Sequence, residues 1–461
     1  MAQATERVAT EVRRRGLATV LLVAMPCIAL VPKCLLVAHA LGASGAHIFD
    51  TGFGFGAYVH ALFTDGAFRS CHSAPFKLCD PDVCVYATRQ PLLPLLYAAL
   101  AKLVGTKSAA VAIAKCAVTT ALLTGFLLTL SRDLRPGLFP VILIYALYFG
   151  PQTLKHQATL DYEEGLLIDL EACLAIAALY LIRPTLTAND SRRAFMGVAA
   201  VVLATALYFV KTTALPMLLV IIALMLRRPE LTARVKVISA LCVLAPFAAW
   251  GAHNYAFSRG IHLSSSWNGE NLYRGSSSEG LALYPQVLLD RLFDSRQAVL
   301  EDGRVVELHD LENRRCFVNE WEWNDYYGDL ARAWWREHPL DALRFTWNRI
   351  WVGLFELRHT PYRTLAEGGD TEYPPAVSAV MSVWMGFARL LFLALVTFIV
   401  RDLWQGNRER PLWTLALVAA GWLPYILVFA YQRHVVPLLL MAGLLLLGLY
   451  LSEPRRQFSS M

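Results

Sequence analysis

The 461-residue chain is 56% hydrophobic and only 17% charged, where a soluble protein of ordinary composition carries about 25% charged residues. Its net charge of +6 is gathered in short basic clusters between long apolar blocks. That pattern excludes a nucleic-acid-binding surface and points to cytoplasmic loops of a membrane protein. A helix crosses a bilayer with about 20 apolar residues, and several blocks reach that length, so the predicted fold class is an all-α polytopic membrane protein.

The first block, Leu17–Leu41, follows Arg13-Arg14-Arg15 and reads as a span with a cytoplasmic N-terminus. Ala38-His39-Ala40 resembles a signal cleavage site, but the apolar run is longer than the roughly 7–15 residues of a signal core. Asp50 then emerges on the outer side, followed by a stretch rich in glycine and aromatics. A helix-ending or capping carboxylate is the plain reading of a lone Asp there. Phe55, Tyr58, Val59, Leu62 and Phe63 fall near helical spacing and predict an amphipathic helix lying on the membrane surface.

Cys71, Cys79, Cys84 and, much later, Cys316 fall in outer segments. An even set in an oxidising compartment predicts one or two disulfides. A metal site of Cys71, His72, Cys79 and Cys84 fits no zinc spacing and is the weaker reading. Arg89 precedes Pro91–Val104, which is short and holds two prolines, so it is expected to be re-entrant or interfacial rather than spanning. Ala109–Leu130 then leads inward to Arg132 and Arg135.

The remaining predicted spans are Gly137–Gly150, Glu164–Ile182, Ala194–Val210, Thr212–Met225 and Val237–Tyr255, with three more after residue 375. About ten transmembrane helices result, with both termini cytoplasmic. The organisation is an N-terminal transmembrane module (1–256) with outer loops at 42–108 and 151–163. An extracytoplasmic region with interfacial helices (257–375) follows, and then C-terminal spans (376–461). Trp334, Trp335, Trp347 and Trp351 suit a membrane-interface belt.

Under this topology every basic cluster is inside, whereas the isolated polar residues lie outside: Asp50, Arg89, Asp161, Glu163, Glu164, Lys211, Arg433 and His434. Polar groups near membrane depth are costly and usually mark a substrate path. Asp161, Glu163 and Glu164 have a bland reading as favourable charges at a helix N-terminus. Asp169 and Glu171, deeper in the same span, need either partners in the helix packing or a wet cavity. The segment "SSSWNGENLYRG" reads as an ordered or sugar-binding loop.

Taken in order, Asp50 ending the first span, "RQPLLPLL", Glu164-Gly165-Leu166, Lys211 at the head of a span, "WNGENLYRG", "REHPLDAL" and "QRHVVPLL" resemble the C superfamily of glycosyltransferases. The nearest group is that of bacterial protein mannosyltransferases and lipid A aminoarabinose transferases. Two positions depart from that pattern: Leu93 stands where an aromatic is common, and His434 where Tyr or Phe is. The resemblance implies a multi-pass protein of a bacterial inner or plasma membrane, with its site facing the periplasm or exterior. It implies a polyprenyl-phosphate sugar donor, a glycan, lipid or protein acceptor, and membrane lipids as surroundings.

By the same resemblance Asp50 is the expected general base, grouped with Glu164 and Asp161 as catalytic carboxylates. Arg89, Lys211, Arg433 and His434 are expected to bind the donor phosphate. Asn268, Asn271 and Tyr273 are expected in the acceptor or sugar loop. No metal or other cofactor is expected. The rival reading is a secondary transporter with Asp169, Glu171 and Lys211 as an ion or proton path; no two-half repeat supports it. A structural membrane protein is a third reading, and the outward clustering of isolated charges opposes it.

Overall fold

A computed structural model describes residues 2–41, 45–51, 54–71, 76–160, 162–284, 297–299, 305–307, 315–355, 362–363, 370–371, 375–428 and 432–454. The fold is helical. In chain order the helices are α1 (Ala2–Leu41), α2 (Phe55–Thr64), α3 (Leu92–Val104), α4 (Ser108–Asp133), α5 (Leu138–Tyr148), α6 (Pro151–Ala158), α7 (Glu164–Ile182), α8 (Asp190–Val210), α9 (Leu215–Arg227), α10 (Ala233–Ser258), α11 (Asn268–Arg274), α12 (Ser278–Leu283), α13 (Glu320–Glu337), α14 (Pro339–Phe355), α15 (Pro375–Trp404), α16 (Glu409–Leu427) and α17 (Gln432–Leu449). Strands among the described residues are only two or three residues long and pair as small antiparallel ladders.

Six helices are long and apolar enough to cross a membrane among the described residues, lying in α1, α4, α7, α8, α10 and α15. The other four predicted spans are also helical, in α5, α9, α16 and α17. Helix α7 is the hub. All of its residues are buried, and it packs against α4, α8 and α17. Past the acids of its first two turns, Glu164, Asp169 and Glu171, its sequence is apolar all round, and such a helix needs neighbours on every side.

Two ends of the bundle can be told apart. At one end, Ile48 N donates to Thr106 O at 2.8 Å and Ser108 N to Ala46 O at 2.9 Å. The close of α1 and the opening of α4 therefore lie side by side. Helix α3, with 13 residues, is about 20 Å long, short of a hydrocarbon core of about 30 Å. At the other end the strand Leu134–Pro136 pairs with the strand Ser452–Pro454. There Arg183 donates to Gly448 O at 3.0 Å, Arg192 pairs with Asp133, and Arg228 meets Glu409 at 2.7 Å.

Two details differ from the sequence reading. Helix α2 does not present its apolar stripe to lipid: Phe55, Tyr58, Val59 and Leu62 are buried, and the helix packs on α3. Its spacing was right, but the partner is protein. Trp334 and Trp335 donate to Ser278 Oγ at 3.1 Å and Ser276 Oγ at 2.7 Å, so both tie α13 to the 276–278 turn instead of joining a belt. Trp347 and Trp351 on α14 are more than half exposed, as a belt requires. Two disulfides, Cys71–Cys84 and Cys79–Cys316, staple the segment after α2 to itself and to the approach to α13, and they leave three of the four alternative metal ligands oxidised; His72 lies outside the described residues.

Candidate active site

The site begins where two helices are interrupted. Helix α8 ends at Val210, and Lys211 adopts an extended backbone (φ −152°, ψ 123°) before a short turn leads into α9. The break aims Lys211 toward the start of α7. There Glu163 caps the helix with its carbonyl, accepting from Leu166 N and Leu167 N at 3.0 Å each. Glu164 is 1% exposed, and its Oε1 accepts from Lys211 Nζ at 2.7 Å. His434, in the first turn of α17, places Nε2 at 3.2 Å from the same oxygen. Its ring stacks on Tyr425 at 4.6 Å. An intramembrane carboxylate is thus matched by groups from α8–α9 and α17, as its desolvation demands.

Arg89 arrives from a loop fixed on several sides. Glu320, at the head of α13, accepts from Tyr86 N at 2.9 Å, Ala87 N at 3.0 Å and Ser266 Oγ at 3.0 Å. Ser266 N in turn donates to Ala87 O at 2.8 Å, and Thr88 N to Tyr58 Oη at 3.1 Å. Burial pushes the Glu320 carboxyl up, and its three hydrogen bonds pull it back. The Arg89 guanidinium lies between aromatic faces, 3.8 Å from the Trp267 ring centre and 4.6 Å from that of Phe55. Stacking leaves its edges to bond. One Nη reaches Glu163 at 3.5 Å. Burial lowers the Arg89 pKa to about 10, with Glu163 opposing the drop, so it stays cationic at neutral pH.

These groups open onto a cavity of about 400 Å³ whose lining includes Arg89, Gln90, Glu163, Lys211, Trp267, Asn268, Asn271, Tyr425 and His434. Beside it runs an apolar groove of about 480 Å³ between α3, α8 and α10, with Pro91, Leu92, Leu95, Phe209, Pro246 and Trp250 among its walls. Gln90 borders the cavity and Pro91 the groove; Tyr208 and Val210 border the cavity and Phe209 the groove. The two spaces thus flank the same two chain segments on adjoining residues. A chamber that holds two cations, each beside a glutamate, next to an oily slot has the parts to take an anion with a long apolar tail.

The sequence-derived residues are distributed unevenly. Glu164, Lys211 and His434 meet directly, and Arg89 joins them through Glu163, which also stands 4.0 Å from Lys211. Asn268 and Asn271 line the cavity, Asn268 accepting from Thr212 Oγ1 at 2.9 Å. Tyr273 is not in that lining and packs near Tyr327, ring centres 5.5 Å apart. Asp50 is exposed and outside the lining; its Oδ2 accepts from His47 N at 3.0 Å, capping its own turn. Asp161 lies outside the described residues, as does the side chain of Arg433, whose backbone starts α17.

Asp169 and Glu171 part company. Asp169 accepts from Tyr148 at 2.9 Å and Gln157 at 2.6 Å, with Lys33 donating to Tyr148 at 2.8 Å. Glu171 instead shares the face of Glu164, seven residues before it. They therefore belong to separate clusters. Glu320, Trp267 and Tyr425 were not anticipated. "WNG" did flag Trp267 within a loop, but nothing local tells that Glu320 reaches back 234 residues.

Among the described residues, no three His, Cys, Asp or Glu side chains come together as metal ligands. The sequence matches no known protein family and no curated protein. Among solved structures it is similar to the crystal structure of ArnT from Cupriavidus metallidurans in the apo state, at 13% identity over 92% of this chain and 77% of that one, with a TM-score of 0.36.

Proposed function

We propose that this chain is a membrane glycosyltransferase that takes a sugar from a polyprenyl-phosphate donor. The observation that carries the reading is a cavity bearing Arg89 and Lys211 with an apolar groove on the adjoining residues of the same segments. The donor phosphate would sit against Arg89 and Lys211, with Arg433 and His434 closing from α17, and the polyprenyl tail would follow the groove. Arginine suits a phosphate through its planar fork, and lysine through its point charge.

In the reaction the acceptor's hydroxyl or amine attacks the anomeric carbon while the bond from that carbon to the phosphate oxygen breaks. The electron pair leaves with the phosphate, where fixed cations stabilise it. The acceptor's proton passes to Asp50. Support for that role is its exposure on a tight turn, five residues before the Phe55 that flanks Arg89. Glu164, held by Lys211 and His434, serves to fix those cations. The site faces the periplasm or cell exterior in this reading, because α4, α7 and α9 each run from the cavity end toward an arginine-bearing end. The test is donor turnover by purified protein in lipid nanodiscs, using a panel of polyprenyl-phosphate hexoses. Absence of both binding and turnover across the panel rejects the proposal.

A further inference from the structure

Gln90 is 5% exposed, and neither its amide oxygen nor its amide nitrogen has a hydrogen-bond partner among the described residues. Trp267 Nε1 is likewise buried and unmatched among them. Both residues line the same cavity. Buried polar groups in proteins are nearly always matched, and burying an amide with nothing to bond is strongly unfavourable. Gln90 has little freedom to escape, since Pro91 restricts its backbone.

What would satisfy it must both donate and accept. A phosphate diester oxygen only accepts, an ammonium group only donates, and a polyprenyl chain does neither. A hydroxyl does both. The same cavity is also lined by neutral polar side chains, Thr88, Ser265, Asn268 and Asn271, whereas the phosphate needs the cations. We infer that Gln90, with the Trp267 indole N–H, forms a subsite that reads a hydroxyl of the donor's glycosyl group. The inference rests on the lipid-phosphate-sugar reading above. It makes Gln90 a specificity residue: a site with buried groups awaiting a hydroxyl rejects a ligand that lacks it far more strongly than an apolar site can.

The experiment measures dissociation constants of farnesyl phosphate, and of farnesyl phosphate bearing glucose, mannose or galactose, for the full chain in nanodiscs. Parent protein is compared with Gln90→Leu, Gln90→Met and Arg89→Gln. The expected result is that at least one hexosyl form binds the parent more tightly than bare farnesyl phosphate. Gln90→Leu and Gln90→Met should then weaken that form roughly 10- to 100-fold, with farnesyl phosphate changed less than about twofold. Retained farnesyl phosphate binding also reports that a variant is folded.

Unchanged hexosyl binding in both variants overturns the inference and leaves Gln90 the partner of a buried water. Equal weakening of bare and hexosyl ligands overturns it too, by making Gln90 a support for the phosphate. So does a parent that binds no hexosyl form more tightly than farnesyl phosphate. A parent that binds nothing in the panel, or Arg89→Gln matching the parent, brings down the lipid-phosphate reading itself and the inference with it.

Discussion

Glu320→Gln tests how the cavity around Arg89 is held together. The carboxylate spends one oxygen on Tyr86 N and the other on Ala87 N and Ser266 Oγ. It sits at the first position of α13, where the helix dipole favours a negative charge. Glutamine has the same shape but one accepting oxygen. Its better orientation keeps Ala87 N and Ser266 and turns an N–H toward Tyr86 N–H. Leaving that buried donor unmatched costs about 1–3 kcal/mol, and the two surviving bonds each lose about 1 kcal/mol as they pass from charge-assisted to neutral. Removing a buried charge returns part of this, so the net loss is about 2–4 kcal/mol. The same change loosens residues 86–88 and Ser266, and with them the Arg89–Trp267 stack.

The assay is the thermal midpoint in detergent together with farnesyl phosphate affinity. Glu322→Gln serves as control, an acid on the same helix that is 37% exposed. Glu320→Gln should melt several degrees lower and bind the phosphate roughly tenfold more weakly, by the loss of about 1.4 kcal/mol at the ligand. If Glu320→Gln melts and binds like Glu322→Gln, the clamp has no bearing on the cavity.

Asp50→Asn should lower turnover about 100- to 10,000-fold, the usual worth of a general base, with donor affinity unchanged; a purified variant above half the parent rate removes Asp50 from the mechanism. Arg89→Gln, Lys211→Gln and Arg433→Gln should each cost roughly 10- to 100-fold in donor efficiency, and Arg89→Lys should recover only part because it keeps charge without the fork. Rate against donor concentration reads this directly. Replacing both cysteines of the Cys79–Cys316 pair, 237 residues apart, should cost more stability than replacing those of Cys71–Cys84, 13 apart. Chain-entropy arguments give about 3 kcal/mol for a loop near 15 residues and about 5 for loops beyond 100, and equal thermal shifts would contradict that ranking. A cysteine placed at Thr106 should label only from outside the cell; labelling from the cytoplasm alone would reverse the assigned sidedness.

The membrane class was legible because an apolar run of span length has few other uses, and α1, α4, α7, α8, α10 and α15 answer to it directly. Glu164 and Lys211 were legible as candidates for a related reason: a charged group at a span's end is expensive and needs a partner, and the two pair with each other, with His434 beside the same Glu164 oxygen. Periodicity alone could not reveal what covers an apolar stripe. Helix α2 has the stripe of a surface-lying helix, yet its cover is α3 rather than lipid. Trp334 and Trp335 illustrate the same limit, since an indole N–H serves a serine as readily as a headgroup. Glu320 was not legible, and Gln90 lay within "RQPLLPLL" without any sign of a role of its own. One acts through backbone amides far away in sequence, and the other is notable only for bonds it does not make.

The central claim is most directly tested by single-turnover transfer. Purified parent protein in nanodiscs is given a polyprenyl-phosphate hexose labelled in the sugar, with cell-envelope lipid and protein fractions as acceptors. The account predicts that released polyprenyl phosphate and acceptor-bound label appear in equal amounts, and that Lys211→Gln suppresses both together. Donor binding by the parent with neither product formed for any hexose, or turnover unaffected by Lys211→Gln, would contradict it.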